Sequence, residues 1–157
     1  MSEKEGTFVV THAEAESAVL KDVDGGQVHT LSDNPGVEAG DVLEATVAPV
    51  PPMEVAYRVV EVAERRSVTV EASDQAPTRQ EREIAADQAE GELTREQRAG
   101  KGELHVLTVP PEQTADAVTD VVEDEGTLVR AAGMDAIQRV EVRSDEIEGV
   151  VSVRYLP

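Results

Sequence analysis

The sequence predicts an α+β protein in which a five-stranded small β-barrel, a helical linker and a β-α-β-β module follow one another along the chain. Alternation of apolar and polar residues, with turn formers between the runs, fills the first part and returns in the last part. A charged stretch with helical spacing lies between them. Because 157 residues fit two small domains, we place the barrel at 1–72, the linker at 73–102 and the module at 103–157.

The barrel prediction depends on five short strands. The Gly25-Gly26 pair permits positive φ and predicts a tight hairpin. In the fifth run the apolar parity switches between Val59 and Val60, which predicts a bulge or bend, although Arg65-Arg66 could equally mark a hairpin turn. The five strands are predicted at 6–12, 17–23, 27–31, from Gly40-Asp41 through Val47, and at 54–71.

The linker and the module have different patterns. Ile84, Ala85, Ala89 and Leu93 give the linker a narrow apolar stripe at helical spacing. In the module we expect strands at 103–109, 137–143 and 150–156, and leave 127–136 unassigned. A helix should follow Pro110-Pro111 and end at Gly126. Its buried face is predicted to contain Ala115, Val118, Val121 and Val122.

Acidic residues dominate the charge of the chain. Asp and Glu number 33 against 14 Lys and Arg, a net charge of −19, and lysine occurs only at Lys4, Lys21 and Lys101. Such self-repulsion destabilises a compact state in dilute buffer, but molar salt shortens the Debye length to about 3 Å. The carboxylate-rich, lysine-poor composition resembles that of proteins from halophilic archaea. No signal-peptide-like or membrane-spanning apolar run is found, so we expect a cytoplasmic protein.

Several kinds of chemistry lack the residues they need. With no cysteine, the chain cannot form disulfides or thiolate sites. His12, His29 and His105 fall on three different predicted strands without a ligand partner at metal-site spacing, so we expect no metal and place these histidines at the surface or rim. No serine has a nucleophile-elbow setting and no glycine loop suits a phosphate. We therefore expect a protein that is not an enzyme and that uses no cofactor.

One local patch has residues suited to RNA contact. Tyr57, Arg58, Arg65 and Arg66 cluster in and near the fifth predicted strand. Phosphate contacts need cations, and base stacking needs exposed rings. These four residues are the candidate RNA-contact site, against the alternative of an ordinary solvated strand.

The run from Asn34-Pro35-Gly36 through Gly40-Asp41 to Val47, followed by Val59-Val60-Glu61-Val62, resembles the second half of a TRAM-type OB barrel. In that family a Pro-Gly turn and a Gly-Asp or Gly-Glu pair precede a strand, and the resemblance implies RNA contact. The full chain is similar to an uncharacterised haloarchaeal family, a domain of unknown function.

These observations favour a non-enzymatic binding or adaptor protein that acts by protein-protein contact. The contact would use the exposed edge of the last strand or self-association, because two small cores are marginal when alone. RNA binding by the barrel and a small enzyme that uses scattered carboxylates are the alternatives.

Overall fold

The computed structural model describes residues 3–157, so the first two residues of the charged amino terminus lie outside the described residues. The described chain is a mixed α+β protein with ten strands and three α-helices. It divides into two compact units. Unit 1 consists of Met1–Val68 and Leu128–Gly133, and unit 2 consists of Thr69–Thr127 and Met134–Pro157.

Five strands of unit 1 form a closed ring in the order β1-β2-β3-β5-β4, with β4 returning to β1. All neighbours in the ring are antiparallel except β3 and β5, which are parallel and pair only at Leu31 and Tyr57. The five predicted strands are therefore confirmed, with shifted ends. Their bounds are β1 Lys4–Ala13, β2 Ala18–Asp22, β3 Val28–Leu31, β4 Asp41–Pro49 and β5 Tyr57–Ser67.

Alternating residues of these strands fill the interior of the ring. On β4, Leu43, Ala45 and Val47 are buried together, as the period-2 pattern predicts. Ala13, Tyr57 and Val59 pack against the edge of this cluster. The complete set of its buried members is Phe8, Val10, Ala18, Leu20, Leu31, Val37, Leu43, Ala45 and Val47.

The Gly40-Asp41 pair fixes the start of β4. Gly40 has φ of 94°, and a Cβ at this position would lie 2.6 Å from the carbonyl oxygen of Val68, so only glycine fits. The carboxylate of Asp41 is buried and accepts hydrogen bonds from Arg65 Nη2 (2.7 Å), Ser67 Oγ (2.8 Å) and the Glu38 backbone (2.9 Å). These bonds tie the end of β5 to β4.

The fifth run is divided between the two units. β5 ends at Ser67, and Thr69–Ala72 forms β6, which pairs in parallel with β9 of unit 2. The alternative of a hairpin turn at Arg65-Arg66 is wrong, because both arginines lie within β5 and pair with β4. The predicted irregularity is confirmed at Val60 and Ala63, which are extra residues opposite β4.

Unit 2 contains a five-stranded sheet in the order β6-β9-β10-β8-β7. β10 lies between β9 and β8, and both of its edges are paired. The expectation that the last strand presents an exposed edge is therefore wrong. The further strands of this sheet are β7 Leu93–Gln97, β8 Glu103–Thr108, β9 Arg139–Asp145 and β10 Val150–Leu156.

The segment predicted as a helical linker contains a short helix and a strand. Helix α1 spans Arg79–Ala86 and begins with a capping box between Thr78 and Glu81. Leu93, which we assigned to the helical stripe, instead begins β7 and pairs with Leu107 of β8. Backbone pairing with the neighbouring strand β8 therefore determined the structure at Leu93 more strongly than the weak helical spacing of the apolar residues did.

Two helices replace the single helix predicted after Pro110-Pro111. A 3-10 turn at Pro111–Gln113 leads into α2, Thr114–Glu123, and α3 follows at Glu125–Ala132. The predicted end at Gly126 is wrong, since Gly126 lies in the first turn of α3. The buried face is confirmed in part: Val118, Val121 and Val122 are half-buried, but Ala115 is exposed.

Two of the three histidines lie in the interior, which contradicts their expected surface position. His29 and His105 are buried, and only His12 is exposed. His105 has its Nε2 2.8 Å from Glu103 Oε1 and its ring against Tyr155. Inward alternation on β3 and β8 placed both rings inside, a consequence of register that their residue type did not indicate.

Candidate interaction surface

One side of β5 has no strand partner over most of its length. β4 pairs with β5 along the whole strand, whereas β3 meets it only at Tyr57. Within the described residues, no other strand pairs with residues 58–67, and we call their side facing away from β4 the β5 edge. Unpaired backbone N–H and C=O groups on such an edge can accept an added strand.

Two exposed valines accompany this edge. The bulges at Val60 and Ala63 interrupt the alternation, so apolar side chains are left in solvent. Val60 is 41% exposed and Val62 is 43% exposed. The loop before β5 adds Met53 and Val55, which are both more exposed still. This part of unit 1 therefore presents apolar side chains to solvent beside unpaired backbone.

Carboxylates lie on the same strand as the exposed valines and line a groove that includes this strand. Glu61 and Glu64 of β5 are exposed. A groove of about 300 Å³ lies across β1, β4 and β5, and Glu44 on its wall accepts hydrogen bonds from Thr7 Oγ1 at 2.6 and 2.7 Å. The residues that line the groove are Glu5, Gly6, Glu44, Ala45, Thr46, Glu61 and Ala63.

The four predicted RNA-contact residues all lie on β5, in different surroundings. Tyr57 is half-buried, and its ring packs edge-on against His29 with the centroids 4.7 Å apart. Arg65 is bound to Asp41, and Arg66 Nη2 donates to the carbonyl oxygen of Ala132 at 2.9 Å. Arg58 is exposed. RNA contact by this set stays a prediction, with two of the three guanidinium groups already held in contacts inside unit 1.

His29 is a buried polar residue in the interior of unit 1. It is fully buried between Phe8 and Tyr57, and among residues 3–157 no hydrogen bond of standard geometry reaches either ring nitrogen. Burial, followed by the charge of Lys4, lowers the pKa of His29, while Asp22 and the backbone of Gln27 act in the opposite direction. A neutral imidazole is therefore the form that this interior accommodates.

Sequence reasoning missed the β5 edge, although a signal was present. The parity switch at Val60 showed that β5 could not bury both valine sets. It did not show that β3 would leave β5 after one residue pair, because that depends on where two distant strands meet. The sequence alone therefore could not predict which strand of the unit 1 ring would be left with a free edge.

Among residues 3–157, no group of three or more His, Asp or Glu side chains could hold a metal ion. No helix in the described part of the chain is both long and apolar enough to cross a membrane.

The fold and the surface define a mixed α+β protein with a free strand edge. The model of a family of unknown function, DUF5812, matches residues 4–144, so the chain belongs to that family. No curated protein and no solved structure matches the chain.

Proposed function

We propose that this chain is a non-enzymatic binding or adaptor protein that binds an extended, basic segment of another protein at the β5 edge. The observation that carries the proposal is the β5 edge, where among the described residues one side of the backbone over residues 58–67 has no strand partner, beside exposed Val60 and Val62. An added strand would satisfy the backbone groups and cover both valines. Main-chain hydrogen bonds supply the affinity in this mode, and alternate side chains supply selectivity.

The charges beside the edge support a basic partner. Glu61 and Glu64 are exposed on β5, and Glu5 and Glu44 line the adjoining groove. Of the three arginines on β5, Arg65 pairs with Asp41 and Arg66 donates to the Ala132 carbonyl, which leaves Arg58 as the exposed cation of this strand without a partner among the described residues. Charged side chains and bulges on an edge prevent indiscriminate pairing. An extended segment with lysine or arginine at alternate positions would place cations against these carboxylates while its apolar residues meet Val60 and Val62.

The proposal includes a salt-rich cytoplasm of a halophilic archaeon as the setting. The net charge of −19 supports it, since concentrated ions screen repulsion among surface carboxylates. In such a medium, long-range attraction between protein and partner is also weak. Backbone pairing and valine burial would then provide most of the affinity, and charge would mainly select the partner.

The ring order supports a TRAM or OB type of barrel for unit 1. A five-stranded Greek-key ring whose third and fifth strands meet in parallel is the arrangement expected of that class. RNA binding by the barrel is therefore the second candidate function, with exposed Arg58 as its first contact. An electrophoretic shift of single-stranded RNA that weakens in Arg58→Gln would support it, and no shift by the unmodified protein in molar KCl would contradict it.

A peptide experiment tests strand addition directly. The probe is a synthetic peptide of alternating lysine and valine, and its control has the same side chains but is N-methylated at alternate amides. We expect the full chain to bind the first peptide in molar KCl, with slowed amide exchange in residues 58–67, and to bind the second much more weakly. Equal binding of both peptides would show attraction by charge alone and would contradict the proposal.

Two variants locate the contact. In Val60→Lys/Val62→Lys, new cations would meet those of the probe, so affinity should fall at least about tenfold, which is about 1.4 kcal/mol. The matched control is Leu93→Lys in unit 2, because Leu93 is 44% exposed. Equal affinities of the two variants would place the binding site away from the β5 edge. Sedimentation of the protein without peptide that is faster than expected for a monomer would instead indicate self-association.

A further inference from the structure

Unit 2 contains a polar cavity that is independent of the β5 edge. Its volume is about 580 Å³, within the range of small-molecule sites. The first turn of α1 forms one wall, β7 and the turn after it form another, and β8 and β10 contribute one residue each. The lining residues are Thr78, Arg79, Gln80, Glu81, Glu96, Gln97, Arg98, Ala99, Leu104 and Arg154.

Arg154 is held in place at this cavity by two carboxylates. Its Nη1 lies 2.5 Å from Oε2 of Glu81, a residue that is only 1% exposed, and its Nε lies 3.1 Å from Glu141 Oε1. The other oxygen of Glu81 accepts a hydrogen bond from the backbone N–H of Thr78 at 2.9 Å. The guanidinium group is therefore oriented before any ligand arrives, which lowers the entropy cost of using it.

The same guanidinium has unused hydrogen-bonding capacity. It carries five N–H donors, and the contacts with described residues engage only Nη1 and the Nε side. The Nε is buried and lacks hydrogen-bond geometry to Glu141 despite their short distance. Among residues 3–157, Nη2 has no hydrogen-bond partner, and the side chain lines the cavity.

The rim of the cavity is also rich in donors. Arg79 and Arg98 lie on opposite walls together with the side-chain amides of Gln80 and Gln97. Arg98 is positioned by a 2.7 Å hydrogen bond from its Nη1 to the carbonyl oxygen of Lys101.

The lining contains three arginines and two glutamates. Arg79 pairs with Glu83, and Arg154 pairs with Glu81 and Glu141. Among residues 3–157, Arg98 is therefore the guanidinium of the lining that no carboxylate contacts.

We propose that this cavity binds a small organic anion, through a carboxylate or phosphate group held by Arg154 and Arg98. Guanidinium groups recognise both kinds of anion with paired, charge-assisted hydrogen bonds. The amides of Gln80 and Gln97 would bind hydroxyl or carbonyl groups on the rest of the ligand. None of the described residues that line the cavity is aromatic, so a hydroxy acid or sugar phosphate fits its chemistry better than a nucleotide, which needs a ring to stack on.

Binding is tested on the full chain with three probes at constant KCl concentration. Citrate represents the carboxylates, glucose 6-phosphate represents the phosphates, and glucose is the neutral control. We expect one or both anions to shift the Gln80 and Gln97 side-chain amide resonances with a dissociation constant of about 1 mM or tighter. Whichever anion binds identifies the group. No shift by either anion up to about 10 mM, or an equal shift by glucose, would overturn the proposal.

Variants separate a ligand role from a structural one. Arg98→Gln removes a rim cation without touching the Glu81–Arg154 pair, and we expect it to weaken anion binding about threefold to tenfold. Its matched control is Arg95→Gln, an exposed β7 residue that does not line the cavity. The double variant Glu81→Gln/Arg154→Gln leaves no buried charge unpaired, because Glu141 keeps its 2.8 Å contact with Arg143, and it should lose binding while remaining folded. Retained affinity in both Arg98→Gln and the folded double variant would overturn the proposal.

Discussion

Unit 1 and unit 2 differ in the polar groups that they bury. The ring of unit 1 encloses an apolar cluster and His29, whose ring nitrogens have no hydrogen bond of standard geometry among residues 3–157. The described part of unit 1 buries one carboxylate, Asp41, which pairs with Arg65. Unit 2 buries two carboxylates, Glu81 and Glu141, and both pair with Arg154. In both units each buried carboxylate of the described residues therefore lies beside an arginine, which offsets the cost of burying its charge.

The chain allows the two units to be followed separately. It has no tryptophan and only two tyrosines, of which Tyr57 belongs to unit 1 and Tyr155 to unit 2. In a Tyr155→Phe background the tyrosine fluorescence reports on unit 1, and in a Tyr57→Phe background it reports on unit 2. Urea unfolding in molar KCl, followed by the tyrosine fluorescence of these two backgrounds, therefore measures the free energy of unfolding of each unit.

The largest effect is expected from the apolar core of unit 1. Leu43 is fully buried, and Leu43→Ala should lower the free energy of unfolding read by Tyr57 by about 4 kcal/mol, through lost burial and a cavity. The matched control, Leu93→Ala at an exposed position of unit 2, should cost less than about 1 kcal/mol. A cost below 1 kcal/mol for Leu43→Ala would mean that the ring interior does not stabilise unit 1.

A slightly smaller effect is expected from the buried ion pair of unit 2. Glu81→Gln leaves the Arg154 charge without its closest partner and should cost about 3 kcal/mol as read by Tyr155. Glu83→Gln is the control, because its pair with Arg79 is exposed and contributes about 0.5 kcal/mol or less. Adding Arg154→Gln should restore part of the lost stability. If the double variant is less stable than Glu81→Gln alone, the pairing argument fails.

The smallest effects are expected from pH, which should change the stability of unit 1 and the stability of unit 2 in different pH ranges. The lowered pKa of His29 means that the unfolded chain takes up a proton below about pH 6.5 that folded unit 1 resists. The stability of unit 1 is therefore full above pH 6.5 and falls as the pH decreases further. His29→Phe should remove this dependence and His12→Gln should not. A dependence that persists in His29→Phe would assign it to other groups.

The stability of unit 2 should depend on pH in a more acidic range. Burial by itself would raise the pKa of Asp145, but hydrogen bonds from the backbone of Ile147 and Glu148 and the charge of Arg82 lower it below its ordinary 3.8. Its contribution is thus present above about pH 3.8 and lost as the pH falls below that value. Asp145→Asn should remove the pH dependence of the stability of unit 2, as read by Tyr155 fluorescence, in that range only.

The candidate surface could be predicted only in part. The valine parity switch and the strand start at Gly40-Asp41 could be predicted from the sequence, because both depend on the local backbone. The contacts of Arg65 and Arg66 could not be predicted. Their contacts with Asp41 and Ala132 join residues far apart in sequence, and no local pattern indicates such a contact. The donor-rich cavity was missed for the same reason, since its walls come from four separate elements.

The sequence by itself determined the acidic excess, the absence of thiol chemistry, the α+β class and most strand positions, because composition and period-2 alternation act within a few residues. Tertiary structure alone decided that Leu93 begins a strand, that β10 lies at the centre of its sheet and that β5 keeps a free edge. Strand pairing joins distant segments, and the backbone partner available to each segment exists only once the chain has folded.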